Sequence, residues 1–199
     1  MPVNIMVLYA PGCFGSHIAN LMSLDPRFPT SFDIEGYATG PVNAHHGRPT
    51  LIDVVLQHTH DTRTFLAQNN VWAEHVSAVL HNEPIKKFVD ELNDKFFLVI
   101  NLPKLDSVIY RRMVQIGFTA SPLAYNEIEY VYTPNCCSRL LGYPNERFWN
   151  INPDLIWQPD VEPLLSHLKN SAPLNLDFDN ELCQNLHSKW YDSVSKSLI

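Results

Sequence analysis

Residues 4–22 read Asn-Ile-Met-Val-Leu-Tyr-Ala-Pro-Gly-Cys-Phe-Gly-Ser-His-Ile-Ala-Asn-Leu-Met, an apolar run that breaks at Pro11-Gly12 and resumes with helical spacing. A short continuous apolar run of this kind reads as a strand covered on both faces. Strand, glycine-containing turn and helix in immediate succession restrict the chain to folds in which a helix packs back on a sheet. The same unit is the usual way a protein holds a phosphate, because the first-turn amides of a helix have no intrahelical acceptor and the helix dipole favours negative charge there. Ser16 adds a hydroxyl, and the anion-holding positions are Gly12, Cys13, Phe14, Gly15, Ser16 and His17. A nucleoside-triphosphatase loop places Lys after its second glycine-bounded turn, whereas His17 stands here. The alternative is a tight turn whose glycines only permit strand-to-helix reversal.

The rest of the chain repeats the alternation. Residues 25–47 hold three prolines and three glycines without an apolar period, which predicts a long irregular connection. Thr50 with Asp53 suggests a helix start, and a second short helix is predicted over 61–69. Residues 76–81 form a strand-like run, and Pro84 then opens a helix carrying Ile85, Phe88, Val89 and Leu92 on one face. A second buried strand is predicted over 95–100, followed by a helix on Leu105, Val108, Ile109, Met113 and Ile116. Ile128, Tyr130 and Tyr132 alternate like an edge strand, Pro134 and Gly142 bracket a short helix, and 160–170 and 177–197 read as helices. Strands separated by helices at this interval predict parallel crossover units, hence an α/β fold with a three-layer parallel sheet flanked by helices. The 199 residues suit one domain, 1–199, with the irregular loop 25–49 and a helical C-terminal part, 153–199.

Charge narrows the function classes. A net charge of −7 with 14 Lys plus Arg gives no electrostatic footprint for nucleic acid, so no nucleic-acid partner is expected. No window approaches the ~18 apolar residues of a membrane span, and no basic region precedes Ile5, so a chain without a membrane partner and with a cytoplasmic location is expected. Its four cysteines, including adjacent Cys136-Cys137, are too sparse for a disulfide scaffold and read as packed, reduced thiols.

Three segments carry a family likeness in a fixed order. Pro11 followed by residues 12–17 closes the first strand, Leu80-His81-Asn82-Glu83-Pro84 ends the second run, and Asn101-Leu102-Pro103-Lys104-Leu105-Asp106-Ser107 follows the third. Together, over about 4–24, 76–84 and 95–116, they resemble the PAPS-dependent sulfotransferases, whose fold is that of the P-loop nucleoside triphosphatases. The resemblance implies PAPS held by residues 12–17, Asn101 and Ser107, a sulfuryl group passed to a hydroxyl or amine of a small-molecule or glycan acceptor, and His81 as the catalytic base. It also marks departures. The family's loop Lys falls at Cys13 or Phe14, its 3′-phosphate Arg at Asn101, and its helix Ser at Ile109, with Ser107 one helical step away. Arg48, Lys104, Arg111, Arg112 or Arg139 would have to supply the missing charge.

Several readings stay open beside it. His81 is either a base at a strand end or a histidine that only hydrogen-bonds in a turn. A protonated His17 would take the place of the missing cation. Of nine histidines, His45, His46, His58, His60, His75 and His81 cluster in sequence, which raises a metal-dependent hydrolase as a separate reading. Their spacing matches no metal motif, so no metal is expected, and His45, His46 and Arg48 are read as donors to an acceptor substrate. Trp149 and Trp157 are core or rim aromatics, or the wall of an acceptor pocket. A catalytically inactive nucleotide- or anion-binding protein on the same fold is the principal alternative to a transferase.

Overall fold

The computed structural model describes residues 2–10, 13–28, 69–101, 107, 110–111, 133–171 and 174–196. Among them the chain is α/β, with a four-stranded, all-parallel sheet flanked by helices on both faces. The strands are β1 (Asn4–Tyr9), β2 (Asn70–His75), β3 (Lys95–Ile100) and β4 (Phe148–Ile151), in spatial order β2-β1-β3-β4. Every residue of β1 is buried, as expected for a central parallel strand paired on both edges.

Side-chain alternation sends Ile5, Val7 and Tyr9 to one face and Met6 and Leu8 to the other. The first face is covered by α1 (Gly15–Met22), α6 (Glu162–Ser171) and α7 (Asn180–Lys196), with the short α5 (Pro153–Ile156) beside them. The second is covered by α2 (Val76–His81), α3 (Glu83–Glu91) and α4 (Pro134–Leu141). Fully buried Ile18, Leu164, Leu165 and Val194 on one side, and Val79, Ile85 and Val89 on the other, each contribute about 1.5–3 kcal/mol of burial. These two layers hold the central strand in place.

Asparagines lock the amino edge of the sheet. Asn69 Oδ1 accepts from the Val3 amide at 2.8 Å, Asn70 Nδ2 donates to Asn4 Oδ1 at 2.9 Å, and Asn4 Nδ2 donates to the Asn93 carbonyl at 2.8 Å. On the far side, Asp25 ties the end of α1 to the approach to α7. Its buried carboxylate takes Arg27 Nε and Nη2 at 2.9 and 2.6 Å and the Asp177 amide at 2.8 Å, while Arg27 Nη1 reaches the Leu174 carbonyl at 2.8 Å.

The expected strand over residues 95–100 and the helices opened by Pro84 and bracketed by Pro134 and Gly142 are present. Asn82 Oδ1 accepts from the Ile85 amide and Thr133 Oγ1 from the Cys136 amide, and Gly142 ends α4 at φ 77°. The expectation for 76–81 is corrected: this run is α2, and the strand is the preceding Asn70–His75. Val76 and Val79, three apart and both 0% exposed, mark the buried side of a helix rather than a strand. β4 lies where no element is expected from sequence. Cys13, Cys136, Cys137 and Cys183 are all buried and reduced. The expected helix over 50–55, all but Asn69 of the expected 61–69 helix, most of the 105–116 helix, the 128–132 strand, and loop residues 29–49 lie outside the described residues.

Candidate functional site at the carboxyl edge of the sheet

Parallel pairing brings the carboxyl ends of β1, β2 and β3 to one edge, with Tyr9 in register with His75. Open α/β sheets bind ligands at that edge. β1 leaves it through Ala10, whose carbonyl accepts from the Cys13 amide at 3.0 Å. Phe14 then adopts φ 59° and ψ 30°, a left-handed conformation that costs a non-glycine residue about 1–2 kcal/mol. Its ring is seated on Trp157 (centroids 5.9 Å, stacked) and edge-on to Trp190 (5.1 Å). The Phe14 carbonyl accepts from the amides of His17 and Ile18 at 3.0 and 3.3 Å, which starts α1 and leaves the Gly15 and Ser16 amides in the first turn without an intrahelical acceptor.

Gly15 is dictated by space. A Cβ there would stand 2.1 Å from Tyr9 Cδ1, so the tyrosine ring lies against the first residue of the helix. The Tyr9 hydroxyl sits 3.5 Å from Ser16 Oγ. Burial, only partly countered by the Ser16 contact and reinforced by the charge of Glu74, pushes the Tyr9 phenol up to about 12. Burial likewise pushes the Cys13 thiol up to about 12, against the Ala10 contact, so Cys13 packs as a neutral thiol and has no thiolate character for nucleophilic chemistry. Beside Tyr9, the His75 ring makes an edge-to-face contact at 4.7 Å, and Glu74 Oε1 accepts from the His75 amide at 2.8 Å.

Helix caps set this edge apart. Asn82, Thr133, Asn152 and Asp179 supply side-chain oxygens to the starts of α3, α4, α5 and α7. Among the described residues the starts of α1 and α2, which leave β1 and β2, have no side-chain cap, and α1 has no acidic residue in its first turn. Among those residues the α1 start therefore offers donors without a built-in anion.

His17 does not face that opening, which corrects the expected cationic role. It is 1% exposed, its Nε2 lies 2.9 Å from His187 Nδ1, and its ring stacks on Trp190 at 4.1 Å and 10°. Burial, with His187 alongside, holds its pKa well below 6.5, so it is neutral near pH 7. His187 is fully buried too, and its Nε2 reaches the Gln158 carbonyl at 2.5 Å. A carbonyl only accepts, so His187 carries its proton on Nε2 and His17 donates from Nε2 to His187 Nδ1.

His81 is also placed differently from expectation: it is exposed in the last turn of α2 instead of ending a strand. The histidine at the strand end is His75. Asn101 follows β3, with its amide donating to the Ile151 carbonyl at 3.2 Å and its buried Oδ1 accepting no hydrogen bond among the described residues. Ser107 has the role of a helix cap, Oγ accepting from the Tyr110 amide at 3.1 Å. Gly12, His45, His46, Arg48, Lys104, Ile109 and Arg112 lie outside the described residues. Arg111 and Arg139 are exposed. Trp157 backs the Phe14 turn, whereas Trp149 packs against Phe96 at 5.2 Å.

Among the described residues no three or more His, Cys, Asp or Glu side chains are grouped to hold a metal, and no helix is long and apolar enough to cross a membrane. Tyr9, Glu74 and His187 were not among the expected site residues, and His75 was named only within the histidine cluster of the metal-dependent reading. The signal for His75 was the alternation of residues 70–75, which places Val71, Ala73 and His75 on one side. No family model, curated protein or solved structure matches the chain.

Proposed function

We propose that the chain binds a phosphate or sulfate ester at the α1 start, in a sulfotransferase-like arrangement with the ester on the Gly15 and Ser16 amides and the Ser16 hydroxyl. The observation that carries this reading is the uncapped start of α1 at the carboxyl edge of a fully buried central strand. The magnitude expected is modest. Two or three charge-assisted hydrogen bonds are worth about 1.5–3 kcal/mol each, and association costs at least about 4 kcal/mol. A bare anion then binds at about millimolar or weaker, and a tighter ligand needs further contacts, as an adenosine bisphosphate moiety would supply.

A transferase is the second reading, and His75 favours it. Here the acceptor hydroxyl gives its proton to His75 as its oxygen attacks the sulfur of PAPS. The sulfur–oxygen bond to the phosphate breaks, and that bonding pair leaves on the adenosine bisphosphate. His75 replaces His81 in this role because it stands at the end of β2 beside Tyr9. The described residues lend no support to a metal-dependent hydrolase, and His45, His46, His58 and His60 lie outside them.

Thermal shift with PAPS, adenosine 3′,5′-bisphosphate, ATP, sulfate and zinc tests the binding reading, since a ligand of the folded form alone raises its stability. Stabilisation by the bisphosphate, weakened about three- to tenfold in affinity by Ser16→Ala, is the expected result. No shift from PAPS or the bisphosphate at 10 mM, about ten times or more the dissociation constant expected once the adenosine contacts add to those of the anion, rejects it. Sulfuryl transfer from PAPS that survives His81→Ala and is lost in His75→Ala supports the transferase reading.

A further inference from the structure

The end of β1 and the first turn of α1 enclose two hydroxyls that fit each other poorly. Tyr9 is 0% and Ser16 6% exposed, and among the described residues each hydroxyl has the other as its sole hydrogen-bonding contact. Their oxygens stand 3.5 Å apart. A well-made O–H···O bond spans about 2.5–3.0 Å, and a buried hydroxyl left without a good partner is costly. Two of them facing each other at this distance call for a third oxygen.

Sterics fix where the phenol points. The Tyr9 ring lies against Gly15, where a Cβ would stand 2.1 Å from Cδ1, and His75 meets its side edge-to-face at 4.7 Å. The hydroxyl is thereby carried past Gly15 to Ser16, the residue whose own amide has no intrahelical acceptor. Burial, which pushes the phenol up to about 12, keeps the proton on Tyr9 at ordinary pH, so the group enters as a donor.

The chemistry of the missing partner follows from the donors around it. An oxygen about 2.8 Å from two atoms 3.5 Å apart sees them at an angle of about 80° and accepts from both. A water there would bring two protons of its own to a turn already rich in donors. A non-bridging oxygen of a phosphate or sulfate ester brings none and is charged, and hydrogen bonds to it are about twice as strong as neutral ones. Resting on the anion reading of the α1 start, we propose that Tyr9 is a further binding residue of that site, its hydroxyl and that of Ser16 together gripping one non-bridging oxygen of the ester. The Gly15 and Ser16 amides serve the remaining oxygens. Because both hydroxyls are buried, the gripped oxygen is a terminal one, and the organic part of the ester lies outside the turn.

Calorimetric titration of the full chain with sodium sulfate and with adenosine 3′,5′-bisphosphate tests the grip. Tyr9→Phe keeps the ring against Gly15 and His75 and removes the hydroxyl alone. It is expected to weaken both affinities about three- to tenfold while Tm stays close to that of the wild type. Because the two hydroxyls serve one oxygen, Tyr9→Phe combined with Ser16→Ala is expected to lose less than the product of the single losses. Fully multiplicative losses place the hydroxyls on separate oxygens and overturn the shared grip. Unchanged affinity in Tyr9→Phe, with or without a fall in Tm, marks a structural pair and overturns the proposal, while weakening by Ser16→Ala in the same series leaves the anion reading standing. No binding of either probe by the wild-type chain overturns both. Should Tyr9→Phe not fold, a tyrosine fluorinated beside its hydroxyl, placed at the same position, decides. Its phenol is the more acidic and the stronger donor, so tighter sulfate binding supports the contact, and unchanged or weaker binding overturns it.

Discussion

β1 and β2 lie side by side, end in register and each feed a helix, yet they leave the sheet differently. After β2 the chain turns into α2 at once, and the Glu74 carboxylate takes the amide of His75. After β1 it passes through five residues, the last of them the left-handed Phe14, and α1 opens on glycine with no capping side chain among the described residues. One exit carries its own anion and the other carries none. Two neighbouring parallel strands thus divide the edge into an acceptor-rich and a donor-rich half, and the proposed anion would take the second. Tyr9 and His75, in edge-to-face contact, mark the boundary.

The largest expected effect comes from removing the space that makes the β1 exit distinctive. Gly15→Ala drives a methyl against the fully buried Tyr9 ring, at 2.1 Å from Cδ1, and is expected to cost about 3 kcal/mol. For a chain of this size that is a fall in Tm of about 6–12 °C by calorimetry. Tyr9→Leu should recover about 1–2 kcal/mol of the loss in a double-mutant cycle. A neutral Gly15→Ala would mean that the ring does not lie beneath the helix start, and the two exits would then differ in sequence alone.

Glu74 tests the charge side of the contrast. Glu74→Ala leaves the His75 amide without its acceptor and is expected to cost about 1–2 kcal/mol in denaturant titrations. Glu74→Gln keeps an oxygen in place and removes only the charge that raises the Tyr9 phenol. It is expected to leave stability within about 0.5–1 kcal/mol and to tighten sulfate binding a few-fold by calorimetry, because a screened carboxylate no longer opposes the anion. Weaker sulfate binding in Glu74→Gln would place the anion away from this edge.

The contrast also governs what could be read from the residues. β1 with α1, and β3, were legible because uninterrupted apolar runs leave little choice of burial, and α3 and α4 because Pro84, and Pro134 with Gly142, are boundary signals with a mechanism. β2 was missed because its carboxyl half carries Glu74 and His75, ionisable residues that interrupt the apolar pattern where a site needs them. β4 was missed because four residues, Phe148–Ile151, are too few to establish a period. The fate of His17 was beyond local pattern, since its partner His187 is 170 residues away. Gly15 was visible as a glycine, but its reason appears only once the Tyr9 ring is placed against it.

The smallest effect isolates backbone from side chain at Phe14. At φ 59° glycine is freer than any residue with a Cβ, so Phe14→Gly relieves about 1–2 kcal/mol of conformational cost while losing the ring contacts with Trp157 and Trp190. Those contacts and the half-buried ring are worth about 1–2 kcal/mol, so the net change should be within about 1 kcal/mol of zero. Phe14→Ala loses the same ring and keeps the cost, so it should be less stable than Phe14→Gly by about 1 kcal/mol, reversing the usual helix preference for alanine. Paired denaturant titrations of the two variants read that difference directly. Alanine equal to or better than glycine would show that residue 14 leaves the left-handed region once its ring is gone. The turn would then be held open by its aromatic seat instead of by the backbone path from β1 into α1.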